Sequence, residues 1–167
     1  MYYPRLLEED IRRSIATNPV TAIIGPRQCG KSTLAANLLQ RFEKVRYLDL
    51  ERPSDMAKLD DAEWFFESNR DSLICIDEIQ RKPELFPVIR SVTDRWDQNG
   101  KFLILGSASR ELLRQNSESL AGRISYKQLT PFLYSEIAEL KPLEQYITRG
   151  GSPEASWPPA QPSPTTG

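Results

Sequence analysis

The sequence predicts an α/β fold, with helices covering both faces of a five-stranded, mainly parallel sheet. Three observations predict it. Short runs rich in apolar residues recur along the chain, several of them apolar almost throughout, as strands buried on both faces require. Between them lie longer stretches with apolar residues three and four apart, the spacing of an amphipathic helix. The two kinds alternate, which is the order of parallel strands joined by crossover helices.

Taken in order, residues 5–17 read as a helix with Leu7, Ile11 and Ile15 on one face, ended by Asn18-Pro19. Residues 20–24 are the first strand. Residues 31–42 read as a helix burying Leu34, Leu38, Leu39 and Phe42, and 45–50 as the second strand. Residues 56–69 read as one helix carrying the bulky set Trp64, Phe65 and Phe66. The third strand, 73–76, runs into Asp77 and Glu78. A helix from about Glu84 buries Phe86, Ile89, Val92 and Trp96, and Asn99-Gly100 turns the chain into a fourth strand at 102–105 that ends at Gly106. A short helix around 109–115, a fifth strand at 124–129 and a helix at 133–140 complete the pattern.

Composition excludes several chemistries. The chain has no histidine, so it holds no Ser-His-Asp triad, no Cys-His dyad and no histidine metal site. Its two cysteines, Cys29 and Cys75, are too few for a four-cysteine zinc site and form no disulfide framework; reduced thiols in a cytoplasmic protein are the simplest expectation. Twenty-two basic against 23 acidic side chains leave a net charge of −1, which does not indicate a nucleic-acid partner, although Arg110, Arg114, Arg123 and Lys127 lie close in sequence. No apolar run approaches the ~20 residues that span a bilayer, and the charged start MYYPRLLEEDIRR is not a signal peptide, so no membrane partner is expected.

Residues 25–32, GPRQCGKS, match G-x-x-x-x-G-K-[ST] in full, between a strand and an amphipathic helix. The chemistry needs these residue types. Gly25 and Gly30 let the backbone turn tightly and approach a phosphate. The backbone N–H groups across Pro26, Arg27, Gln28, Cys29 and Gly30 can then form an anion nest, helped by the helix N-terminus (Pro26 itself has no N–H). Lys31 reaches the β- and γ-phosphate oxygens, Ser32 can ligate Mg2+, and Thr33 is placed to touch the α-phosphate. The expected ligands are therefore ATP and Mg2+. Cys29 has two readings: a small residue filling a tight turn, or a reactive thiol whose pKa Lys31 and the helix N-terminus lower. Arg27 either touches a phosphate or is solvated.

Residues 73–80, LICIDEIQ, place two carboxylates at the end of an apolar strand, like a Walker B strand. Asp77 is the candidate Mg2+ partner, and Glu78 the candidate base that orients or deprotonates water. Gln80 and Arg81 either contact nucleotide or a partner, or form a solvated turn. At the end of FLILGSAS, Ser107 is the candidate polar sensor, with Ser109 second; a helix cap for residues from about Arg110 is the alternative. Cys75, inside an apolar strand, reads as an inert buried thiol.

Together GPRQCGKSTL, YLDLE, LICIDEIQRKPELFPVIR, FLILGSAS and LAGRISYKQLTPFLYSEI resemble the bacterial and archaeal AAA-type P-loop ATPases whose ATPase domain precedes a conserved C-terminal domain of unknown function. The resemblance covers roughly residues 2–155. It implies a P-loop NTPase three-layer sandwich with strand order 5-1-4-3-2, and ATP hydrolysis with Mg2+. Lys31 and Glu78 would be catalytic, and Ser32 and Asp77 would be metal-binding. It also places a Gly-Arg pair on Gly122 and Arg123. Arg123 then has two readings, a γ-phosphate contact in cis or in trans through self-association, or a structural ion pair at a helix end. A nucleotide-dependent binding switch with little hydrolysis is the rival function, and a non-functional fragment of a longer ATPase a third. A GTPase is disfavoured because no N-K-x-D motif is present, and a small-molecule kinase because adjacent Asp77 and Glu78 favour water as acceptor.

The division expected is an ATPase domain over 1–150 and a proline-rich, disordered tail over 151–167. That last stretch, GSPEASWPPAQPSPTTG, holds five of the 13 prolines and one charged residue, too little to bury a core. It begins within Arg149-Gly150-Gly151-Ser152-Pro153-Glu154, which resembles the segment where the family leads into its C-terminal domain, so truncation or frame-shift of a longer chain is the expectation. Deleting residues 156–167 is expected to leave the melting temperature and the ATP affinity unchanged, measured by calorimetry. A fall of several degrees would instead mean that Trp157 docks on the core.

Overall fold

The computed structural model describes residues 2–107 and 120–137. Five strands form one sheet in the order β2-β3-β4-β1-β5, which is the predicted order read from the other edge. They are β1 (Val20–Gly25), β2 (Val45–Asp49), β3 (Leu73–Asp77), β4 (Phe102–Ser107) and β5 (Ile124–Gln128), and every pairing is parallel. Central β1 and β3 are buried at every position, whereas edge strands β2 and β5 are largely half-exposed. That difference explains why the central strands read as unbroken apolar runs and the edges do not.

Period-two alternation divides the central strands between two cores. Ala22, Ile24, Ile74, Ile76, Phe102 and Ile104 point to one face, where they meet α4 (Ala62–Ser68) and α5 (Leu85–Trp96). Phe102 stands edge-on to Phe66 at 5.0 Å and stacks on Trp96 at 5.8 Å. Ile23, Leu73, Cys75, Leu103 and Leu105 point to the other face, against α1 (Glu8–Thr17) and α2 (Lys31–Leu39). The layers are helix, sheet and helix, as the sequence predicts.

Four boundaries differ from expectation. α1 starts at Glu8 rather than residue 5, because Arg5 turns inward and its carbonyl accepts from Glu8 N–H. α2 ends at Leu39, where the N–H groups of Arg41 and Phe42 bond three residues back and tighten the last turn. The single helix expected at 56–69 is two, α3 (Pro53–Ala57) and α4, separated by a turn that buries Leu59. Asp61 starts α4 by accepting from Trp64 N–H at 3.0 Å, an N-cap that competes with continuing the earlier helix. Successive residues on a helix lie about 100° apart, so the bulky triplet cannot all face inward. Phe66 is fully buried while Trp64 is 67% exposed. Finally, β4 continues through Gly106 to Ser107, which pairs with Gly25. The helix expected at 109–115, the tail and most of the final helix lie outside the described residues; within them that helix spans Tyr134–Ile137.

Candidate nucleotide-binding site

The phosphate loop joins the C-terminal end of β1 to α2. Gln28 and Gly30 adopt positive φ, 62° and 92°, so the loop reverses twice within three residues. Only glycine takes the conformation at position 30 without strain, and its carbonyl receives the first α2 bond, from Leu34 N–H. Gly25 serves a different need from the one its motif position suggests. It is still in the strand, and a β-carbon there would collide with the Leu129 carbonyl and lie 2.9 Å from Cys29 Sγ. Its absent side chain makes room for the chain behind the loop.

An open cleft of about 430 Å³ is lined by Arg27, Gln28, Gly30, Lys31, Ser32, Thr33, Glu51 and Glu78. Lys31 is 6% exposed, and its ammonium donates to the carbonyls of Gly25 at 3.1 Å and Pro26 at 2.8 Å. Ser32, Thr33, Pro26 and Arg27 are exposed. A small apolar pocket of about 30 Å³ between Tyr2, Tyr3, Leu34 and Phe132 shares Gly30 and Thr33 with the cleft.

Opposite the loop, β3 delivers the two carboxylates. Asp77 is 4% exposed; it accepts from Tyr47 Oη at 2.6 Å and from Glu78 N–H at 2.9 Å. Burial first, then the hydrogen bond and charge of Asp77, push the Tyr47 hydroxyl well above its ordinary pKa, so Tyr47 stays a donor. Glu78 turns away from Asp77 by adopting φ 57°, a left-handed conformation that costs a non-glycine residue energy and is tolerated where surrounding contacts impose it. Its carboxylate accepts from Gln80 Nε2, and Gln80 Oε1 accepts from Ser107 N–H at 3.4 Å. Gln80 thus bridges the acidic strand end to the end of β4. Arg81 pairs with Glu51 at 3.4 Å.

The donor set suits Mg2+, a hard cation that takes oxygen ligands and needs few from protein. Ser32 offers a hydroxyl, and buried Asp77 offers a carboxylate with lone pairs beyond its two hydrogen bonds. Among the described residues no cluster of three or more acidic or cysteine side chains forms a ready cage, so phosphate and water would complete the shell.

Both cysteines are buried free thiols. Burial pushes the Cys29 thiol up despite Lys31 and Arg5, and Cys29 is 1% exposed; the lowered-pKa reading fails because desolvation outweighs the nearby cations. Cys75 is fully buried and pushed up further.

Comparison with known proteins decides the family. The family profile described as "AAA domain" matches residues 17–138. The chain belongs to the AAA domain family. Two curated relatives, the uncharacterized proteins Rv2008c of Mycobacterium tuberculosis and Mb2031c of Mycobacterium bovis, are each 39% identical over 143 residues. The alignment covers 86% of this chain but 32% of each relative, so the chain spans about a third of their length. Among solved structures, the Walker-type ATPase of Pyrococcus abyssi superposes with a TM-score of 0.57 at 16% identity, over 83% of this chain and 56% of that one. The Drosophila ORC bound to DNA gives 0.56 at 17%, over 79% and 44%. The Saccharomyces cerevisiae Hsp104–ADP complex gives 0.54 at 17%, over 89% and 26%. These likenesses establish the P-loop ATPase fold.

Within this AAA domain, Arg123 departs from the cis expectation. Its carbonyl accepts from Val20 N–H at 3.1 Å, so it flanks the first residue of β1, whereas the phosphate loop leaves the last. The strand's length separates the two by roughly 16 Å. Its guanidinium pairs with Asp94 of α5 and donates to the Ala121 carbonyl at 3.0 Å. Ser107 lies beside Gly25; Ser109 is outside the described residues. Sequence reasoning missed Tyr47, Glu51 and Arg5. Tyr47 precedes Asp49 by two in an edge strand, which puts both on one face, and that alternation was the available signal. No helix among the described residues is long and apolar enough to cross a membrane.

In the native protein, neither cysteine is expected to react with a thiol-specific chromogenic disulfide, and both should react in denaturant. One fast equivalent from native protein would contradict the burial of Cys29.

Proposed function

We propose that this AAA domain binds ATP with Mg2+ and hydrolyses the β–γ phosphoanhydride bond. The observation that carries the reading is the position of Glu78, which lines the same cleft as Lys31, Ser32 and Thr33, next to the buried Asp77 at the end of β3. The phosphates would lie along the loop N–H groups, with Lys31 exchanging its carbonyl partners for β- and γ-oxygens. Thr33 would face the α-phosphate. Ser32 and Asp77 would hold Mg2+, Asp77 through water, kept in place by Tyr47. When bound, the metal supplies positive charge to the phosphate oxygens. Glu78 would orient and deprotonate the attacking water, its position set by Gln80, and Ser107 would monitor the γ-phosphate from the end of β4.

One observation favours the rival, a nucleotide-dependent switch with little intrinsic turnover. Arg123 sits at the far end of the sheet, so an arginine acting on the γ-phosphate would come in trans from a second copy. Turnover that rises with protein concentration separates self-associated hydrolysis from a switch.

Lys31→Ala is expected to abolish MgATP binding in a variant that remains folded by circular dichroism; undiminished calorimetric affinity would sink the phosphate-loop assignment. Glu78→Gln should retain ATP affinity but slow hydrolysis by about 10²-fold or more. A wild-type rate in that variant would put water activation elsewhere.

A further inference from the structure

Arg5 lies outside every motif, yet its side chain is 4% exposed. Of the buried charged residues described, Lys31 lines the cleft, Asp77 is held at the end of β3 by Tyr47 and the Glu78 N–H, and Asp55 braces the turn after β2. Arg5 does none of these. Its Nη1 donates to the Cys29 carbonyl at 3.1 Å, its Nη2 to the Thr130 carbonyl at 2.7 Å and its Nε to Glu136 Oε1 at 3.0 Å. The guanidinium lies 4.2 Å from the centre of the Phe132 ring. Glu136, with its side chain 3% exposed, also accepts from Leu6 N–H at 2.9 Å and Leu133 N–H at 2.8 Å. Burial alone would raise its pKa, but these hydrogen bonds outweigh it and hold Glu136 below the usual carboxylate range.

A buried ion pair is weak evidence for stability, because apolar packing of the same volume often does as well. What this one does that apolar packing cannot is orient a carbonyl. The Cys29 carbonyl and the Gly30 N–H belong to one planar trans peptide and point in opposite directions. Drawing the carbonyl back toward Arg5 therefore aims the Gly30 N–H forward, and Gly30 lines the cleft.

We propose that Arg5 is a positioning residue for phosphate binding, which fixes the Cys29–Gly30 peptide so that its N–H faces the anion. The inference rests on the nucleotide-binding reading above. It carries a corollary. A phosphate on the Gly30 N–H polarises the peptide and strengthens its carbonyl as an acceptor, which holds Arg5, the side chain that also reaches Thr130 and Glu136, more firmly in place. Nucleotide occupancy is thereby transmitted to the stretch that follows β5, and by linkage that stretch acts back on affinity.

The test measures binding of inorganic pyrophosphate and of MgADP by calorimetry to wild type, Arg5→Met, Arg5→Lys and Glu136→Gln, each checked for folding. Arg5→Met is expected to weaken both by about tenfold. Arg5→Lys should not rescue, since an ammonium lacks the planar fork that spans the three acceptors. Glu136→Gln should cost less, because Arg5 keeps both carbonyls. Hydrogen exchange gives a readout that a merely structural role would not move. MgADP should slow exchange of the Leu6 and Leu133 amides in wild type, but not in Arg5→Lys. Wild-type affinity in folded Arg5→Met, or in Arg5→Lys should Arg5→Met not fold, overturns the proposal. So does Leu6 and Leu133 exchange that ignores MgADP in wild type. Failure of wild type to bind either ligand instead overturns the nucleotide-binding reading, and this inference with it.

Discussion

The geometry of the site depends on how closely the chain after β5 packs behind the phosphate loop. Leu129 donates its N–H to the Ile24 carbonyl at 2.7 Å, and its own carbonyl occupies the space that a side chain at position 25 would need. Cys29 Sγ fills the rest. The loop therefore leaves β1 against a wall of backbone and cannot relax backward. The positive φ angles at Gln28 and Gly30 then turn it forward over the cleft. The buried thiol, the missing side chain at Gly25 and the arginine clamp all belong to one close-packed joint, in which a single added carbon has nowhere to go.

A second constraint acts from the other side of the cleft. Parallel pairing aligns Asp49 with Asp77 and Gly25 with Ser107, so the acidic and polar strand ends stand in one row with the loop. Adjacent carboxylates at such an end would repel each other if they pointed the same way. The left-handed turn at Glu78 separates them, leaving Asp77 buried under Tyr47 and Glu78 in the cleft, tied through Gln80 to β4. The backbone energy spent at Glu78 is offset by this network, a pattern common where two acids must take different roles.

The chain corresponds to about a third of its curated relatives' length, and its solved structural neighbours are likewise longer chains. Within the described residues, the stretch after β5 is the one that Arg5 holds against the phosphate loop. The ion pair of Arg123 with Asp94 lies at the opposite end of the sheet, where it ties the start of β5 to α5.

By itself, the sequence determined the layer architecture, the five strands and the glycine–lysine loop between β1 and α2. Those follow from local signals: apolar runs of strand length, helical spacing, and a spaced glycine–lysine pattern whose chemistry is carried by neighbouring residues. Residues 73–78 are the clearest case, since four apolar residues followed by Asp77 and Glu78 specify both a buried strand and where it must end. Local signals failed where two tendencies competed within a few residues, as at 56–69, where the cap at Asp61 prevailed over helix continuation. Only the tertiary structure revealed the partners of Arg5, Tyr47 and Arg123, because each partner lies far away in the chain. Arg5 bonds Glu136 across 131 positions and Tyr47 bonds Asp77 across 30. No spacing rule reaches across such separations. A buried charge has meaning only through the groups that desolvation forces it to find, and those are chosen by the fold as a whole.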